Sequence, residues 1–193
     1  MKCEMCGVGI GLGGARGRAP RYCSSACRQR AYRARVKDAP VGVPAAMISA
    51  DRWVRRFGKR PLTAKGWPAS STNPGTWGSH AEVMASSKGD GYGFMLGGGI
   101  GCIDLDGCIS ADGVLADWAR LILDKCPPTY VEVSMSGTGL HIFGLLAEAP
   151  GRGQRAGDGV EFYSTARFMA VSGAPFEGAR GRLGDLAEVV LTL

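Results

Sequence analysis

Long apolar runs are absent from this chain. No stretch approaches the roughly 20 consecutive apolar residues of a membrane-spanning helix, so a transmembrane helix is excluded. The opening Met1-Lys2-Cys3-Glu4 lacks the apolar segment and small-residue cleavage site of a secretory signal, and a cytoplasmic protein is expected. Histidine is scarce, with two in 193 residues, and aromatics make up only 8%. Acids are scarce at one end: residues 1–60 hold 14 Lys/Arg against 3 acids (Glu4, Asp38, Asp51), or 14 − 3 = +11. Residues 61–193 hold 9 Lys/Arg against 14 acids, or 9 − 14 = −5.

What is present suits one ordinary domain plus a small appendage: 45% hydrophobic and 21% charged residues, enough to bury a core without disulfides. The 31 glycines are scattered, which marks a turn-rich globular chain and not a low-complexity one. Seven cysteines, an odd number, without an export signal point to reduced thiols and metal ligands. A basic head on an acidic body suggests that the head meets a polyanion while the body does something else. A merely solvated basic tail is the plainer alternative.

Three segments follow: a basic module at 1–37, a Pro-containing linker at 38–50, and a larger domain at 51–193. Within 45–60, Trp53, Val54 and Phe57 fall at helical spacing, and 61–79 reads as loop. A short helix is expected from near Ser79 to Ser87. Tyr92–Leu96 and Ile100–Asp106, divided by Gly97-Gly98-Gly99, read as a hairpin. A helix over Gly113–Cys126 is ended by Pro127-Pro128. Thr129–Val133 with Leu140–Leu145 reads as a second hairpin, Val160–Tyr163 with Phe168–Val171 as a further strand pair, and Leu183–Leu191 as a final helix. The predicted class is α+β with an antiparallel or mixed sheet.

Cys3-x2-Cys6 and Cys23-x3-Cys27 supply four soft ligands on two clips, the donor set of a structural zinc. Gly7, Gly9, Gly11, Gly13 and Gly14 let the loop between them fold back, and Ser24-Ser25 can cap a helix carrying Cys27. That helix brings Arg28, Arg30, Arg33, Arg35 and Lys37 to one zinc-anchored surface, the candidate DNA contact. So small a segment cannot build its own core, and the metal would be its fold. Tyr22 and Tyr32 are expected to pack on this lobe. Cys102, Cys108 and Cys126 have no paired spacing and are expected to be ordinary buried or half-buried thiols. The stretch from Tyr22 to Arg35 resembles small zinc-binding modules at the N-termini of actinobacterial and phage proteins.

In Gly101-Cys102-Ile103-Asp104-Leu105-Asp106, the two carboxylates sit at i and i+2, on one face of a strand. Two such acids repel each other unless a cation lies between them, and a hard divalent metal is the natural partner. Taken alone the pair is a weak signal that glycosyltransferases and nucleases share. His141 follows in Ser136-Gly-Thr-Gly-Leu-His141, then Glu161 in a strand, then Arg167. A lone strand histidine is ordinarily structural; its place in this order makes it a candidate site residue.

Taken together, Thr72–Trp77, Gly91–Gly97, Ile103–Asp106, Val131–Gly144 and Gly159–Gly173 resemble the bifunctional DNA primase/polymerase N-terminal domain, of the archaeo-eukaryotic primase superfamily. The resemblance implies an RRM-like catalytic sheet and template-directed nucleotidyl transfer from nucleoside triphosphates on single-stranded DNA. Asp104, Asp106 and Glu161 would be ligands of two Mg²⁺ or Mn²⁺ ions, and His141 and Arg167 would contact the nucleotide's phosphates. Many relatives continue into a helicase, which implies a separate replicative helicase as partner here. Trp67 and Trp77 are expected to pack in the core or a lid. The rivals are a non-catalytic zinc-dependent single-stranded DNA-binding protein and a metal-dependent nuclease.

Overall fold

A computed structural model describes residues 1–10, 20–38, 41–149, 154–155 and 159–193, with the side chains of 32–38 and 154–155 left out. The side chains of Tyr32, Arg33, Arg35 and Lys37, and all of Gly11, Gly13 and Gly14, therefore lie outside the described residues. The chain divides into two compact units, Met1–Pro40 and Val41–Leu193.

The first unit is a knuckle and a helix. Cys3 N–H donates to the Val8 carbonyl, and Gly7 N–H to that of Cys3, with Gly7 at φ +74° where a left-handed residue is required. Helix α1 (Ser25–Asp38) begins where the Ser24 hydroxyl accepts from Cys27 N–H at 3.2 Å.

The second unit is α+β with two sheets. Helix α2 (Ala45–Ile48) places Met47 in the core, so the stretch expected to be linker belongs to the body from Val41 onward. Then come β1 (Trp53–Phe57), β2 (Arg60–Leu62), α3 (His80–Ala85), β3 (Gly91–Met95), β4 (Ile100–Leu105), α4 (Asp117–Lys125), β5 (Tyr130–Val133), β6 (Leu140–Leu145), β7 (Gln154–Arg155), β8 (Val160–Tyr163), β9 (Phe168–Val171), β10 (Gly184–Asp185) and α5 (Ala187–Val190). A four-stranded antiparallel sheet runs β2-β1-β3-β9. A six-stranded sheet runs β10-β6-β4-β8-β7, with β5 also on β6; only its β10–β6 pair is parallel.

Several expectations hold. Ser79 caps α3 with a reciprocal capping box to Glu82. Strands β5 and β6 pair as the predicted hairpin, and Cys102 and Cys108 are buried while Cys126 is half-buried. Others are corrected. Trp53, Val54 and Phe57 are in a strand, because β1 is sealed between β2 and β3 and tertiary pairing overrides the helical spacing. The triple glycine does not close a hairpin: beyond the single Gly97–Ile100 bridge the chain crosses from one sheet to the other, with all three glycines at positive φ. Strands β8 and β9 likewise belong to different sheets. The final helix is only α5, and Gly184–Asp185 forms an edge strand. Trp67 is 69% exposed and packs in no core, whereas Trp77 is half-buried, donates to the Ser70 carbonyl at 2.7 Å and lies under Arg52.

Strand alternation divides the core. Ile103, Leu105, Leu140, Ile142 and Val160 join Ala119 and Ile122 of α4 on one face of the larger sheet. Cys102, Tyr130 and Phe143 point the other way, onto Trp53, Phe94 and Met169 of the smaller sheet. Trp53 is fully buried, and its indole N–H donates to the Met47 carbonyl at 2.8 Å.

Gly144 on β6 tests this packing. A Cβ there would lie 2.6 Å from the Gly184 carbonyl oxygen and closer still to buried Leu186. Gly144→Ala is expected to lower stability by about 1–3 kcal/mol through overpacking, seen as a lower urea midpoint at an unchanged slope.

Candidate functional site

The four cysteines of the first unit come together. Their sulfurs all lie within 4.8 Å of one another, with Cys6–Cys23 and Cys23–Cys27 at 3.5 Å and Cys27–Cys6 at 3.6 Å. A tetrahedron with Zn–S bonds of about 2.3 Å has edges of about 3.8 Å, so the donor set fits zinc. Glu4 and Arg21 strap the two clips together through a pair of 2.7 Å hydrogen bonds. Cys23 N–H donates to the Cys3 sulfur, and this bond, ahead of others from the backbone, holds the Cys3 thiol down at about 6. Hydrogen bonds among the crowded thiols, first to Cys6 and then to Cys27, push Cys23 up to about 12. Arg28 and Arg30 stand exposed on the helix that carries Cys27.

In the body, β4 pairs on both edges, and the register sets Asp104 opposite His141 on β6 and opposite Glu161 on β8. Register partners share a face, so the three side chains form one cross-strand row. They line a cavity of about 860 Å³ bounded by residues of both sheets. Asp106, just past β4, lines it too, as do Arg56, Lys59 and Arg167. The five body residues expected from the sequence to form a site, Asp104, Asp106, His141, Glu161 and Arg167, thus line one cavity.

Each member has a distinct environment. Asp104 Oδ1 is buried without a hydrogen-bond partner, with His141 Nε2 at 3.7 Å. Burial, and next the charges of Asp106 and Glu161, raise its pKa against the opposing pull of His141 and Arg167. The Tyr163 hydroxyl donates to Glu161, and the Arg167 guanidinium lies 4.3 Å from the centre of the Tyr163 ring. Burial, then that hydrogen bond, push Tyr163 up to about 12. Arg167 follows Ala166, a non-glycine residue at φ +54° on the cavity wall. Among the described residues, the cysteines are the one set of three or more His, Cys, Asp or Glu gathered closely enough for a single ion.

The turn before β6 is built to a fixed shape. Ser134, Ser136 and Thr138 hydroxyls link in sequence at 3.0 and 2.9 Å, and Ser134 Oγ accepts from Gly139 N–H at 3.1 Å. A Cβ on Gly139 would sit 2.7 Å from the Leu105 carbonyl oxygen, so only glycine lets this turn lie against the end of β4.

Arg56 and Lys59, read from the sequence only as part of the basic surface of residues 1–60, belong to this cavity, and sequence reasoning missed Glu132. Glu132 is fully buried on β5, opposite His141, whose Nδ1 lies 3.3 Å from its Oε1. The signal was there: a lone acid in the apolar strand Tyr-Val-Glu-Val.

No protein-family model matches the chain, and no curated protein sequence matches it significantly.

Two outcomes are expected. The full-length protein should bind one zinc or cobalt(II), the latter with the spectrum of a tetrathiolate site; Cys6→Ser should abolish that spectrum. Asp104 binds its proton more tightly folded than unfolded, so its contribution to stability falls as pH rises from the ordinary carboxylate value through its raised one. Asp104→Asn should therefore raise the metal-free melting temperature at pH 7 and lose that advantage near pH 3.

Proposed function

We propose that this protein is a phage- or plasmid-type DNA primase/polymerase, an enzyme of template-directed nucleotidyl transfer in replication initiation. The observation that carries the reading is the row of Asp104, His141 and Glu161 facing one cavity that is also lined by Lys59, Arg167 and the buried Arg56, the last ion-paired with Asp90. Acids together with the cations of Lys59 and Arg167 in one cavity suit a polyanionic substrate that arrives with divalent metal. The buried Asp104 oxygen without a partner is what a cation ligand looks like before the ion arrives.

In such transfer a 3′-hydroxyl attacks the α-phosphate of a nucleoside triphosphate and pyrophosphate leaves. Bound Mg²⁺ or Mn²⁺ would stabilise the charge that builds on the attacking and leaving oxygens. Asp104 and Asp106 would hold such ions from the end of β4, and Glu161 from β8. The Tyr163 hydroxyl fixes the Glu161 carboxylate, and Arg167 stacked on the same ring is carried to the cavity wall as a phosphate partner. His141 offers Nε2 to the triphosphate tail. The zinc-anchored helix would meet the template backbone through Arg28 and Arg30, a sequence-independent contact.

The test is incubation of primed and unprimed single-stranded template with nucleoside triphosphates and Mg²⁺ or Mn²⁺. Extended or newly made strands support the reading, shortened DNA would replace it with a nuclease, and unchanged DNA that stays bound would leave a binding protein. Asp104→Ala is expected to remove incorporation at least a thousandfold without unfolding the body. His141→Ala should mainly weaken nucleotide binding, so that saturating nucleotide restores part of the rate. Wild-type incorporation by Asp104→Ala would overturn the metal assignment.

A further inference from the structure

Glu132 is 0% exposed, and every acceptor position on its carboxylate is taken. Oε1 accepts from His141 Nδ1 at 3.3 Å and from the Ser172 backbone N–H at 2.9 Å. Oε2 accepts from the Tyr130 hydroxyl and from the Gly173 backbone N–H, both at 3.0 Å. A carboxylate has about four lone-pair positions, and four donors fill them here. Three of those donors come from β5 itself and from the segment after β9, so the carboxylate is held in place independently of the histidine.

The consequence falls on His141. A carboxylate only accepts, so the ring nitrogen that faces it is the one bearing hydrogen, and Nδ1 is the donor. That leaves Nε2 as the end turned toward the cavity, beside Asp104. Phe143, edge-on to the imidazole with ring centres 6.1 Å apart, packs against it.

We propose that Glu132 is a positioning residue: it fixes His141 in the tautomer protonated at Nδ1 and so presents Nε2 to the ligand bound beside Asp104. That the ligand is the phosphate tail of a nucleoside triphosphate, to which Nε2 would donate only after taking up a second proton while Nδ1 stays on Glu132, rests on the proposed function; the tautomer does not. A carboxylate that only stitched β5 to the segment after β9 would need the two backbone donors and Tyr130, and would be indifferent to the histidine.

The experiment is nitrogen-15 NMR on the histidine rings of the full-length, zinc-loaded protein. The chain has two histidines, His80 and His141, so one His141→Gln spectrum assigns both. At mildly alkaline pH the His141 ring should show a protonated Nδ1 and a bare Nε2. Glu132→Gln, which keeps the shape and removes the acceptor-only carboxylate, should mix the two tautomers. It should also raise the apparent KM for nucleoside triphosphate by roughly 10–100-fold, with kcat changing less, as loss of a histidine's outer partner does elsewhere. Tyr130→Phe removes a donor from the other oxygen and should leave tautomer and KM near wild type.

A wild-type ring protonated at Nε2 would overturn the proposal, and so would a Glu132→Gln protein with unchanged tautomer and KM. If Glu132→Gln does not fold, the wild-type and Tyr130→Phe spectra still decide. The predicted tautomer in a protein that incorporates no nucleotide would uphold the positioning role and sink the transferase reading instead.

Discussion

Strand β4 is paired along both edges, and its register governs where each polar group of the body points. Side chains alternate faces with a period of two, so a one-residue slip would carry Asp104 into the apolar layer with α4 and bring Ile103 to the cavity. The residues around it oppose that slip. Ile103 and Leu105 are fully buried on one face and Cys102 on the other, and Gly101 lies against Leu146 where no Cβ fits. The apolar residues thus set the alignment, and the acids and His141 are carried to the opposite face as a consequence.

That arrangement stabilises a polar row at an energetic cost that differs along its length. Glu132, farthest from solvent, has its acceptors filled by donors and is compatible with complete burial. Asp104, two strands away, has a buried oxygen without a partner and a raised pKa. One carboxylate has its acceptors filled by the fold and the other does not. Such a gradient from satisfied to unsatisfied is the physical mark of a site set into a core.

Much of this was legible in the sequence, for reasons that can be named. Asp104 and Asp106 stood out because strand alternation is a local signal, and the β5–β6 hairpin lies within another, whereas His141 and Glu161 were singled out by their order along the chain and the resemblance it carries. The cysteine spacing announced the first unit in the same way. What escaped was non-local. Whether Gly97–Gly99 closes a hairpin or carries the chain between sheets depends on β1 and β9, far off in sequence, claiming the edges of β3. Trp53 and Val54 read as helical because both faces of β1 are covered, which removes the alternation that marks a strand. Glu132 was passed over, and its partners at 172 and 173 could be known only once β9 was placed.

The crossing at Gly97–Gly99 also bears on how the body is completed. The chain lays down three strands of the small sheet, leaves to build most of the large one, returns with β9 to the first, and ends with β10 on the second. Neither sheet is a contiguous stretch of sequence. A break in the chain anywhere between Leu105 and Phe168 parts strands of both, so no fragment ending there carries a whole sheet. The two layers are woven from one thread, and the body must fold, and be lost, as a single cooperative unit.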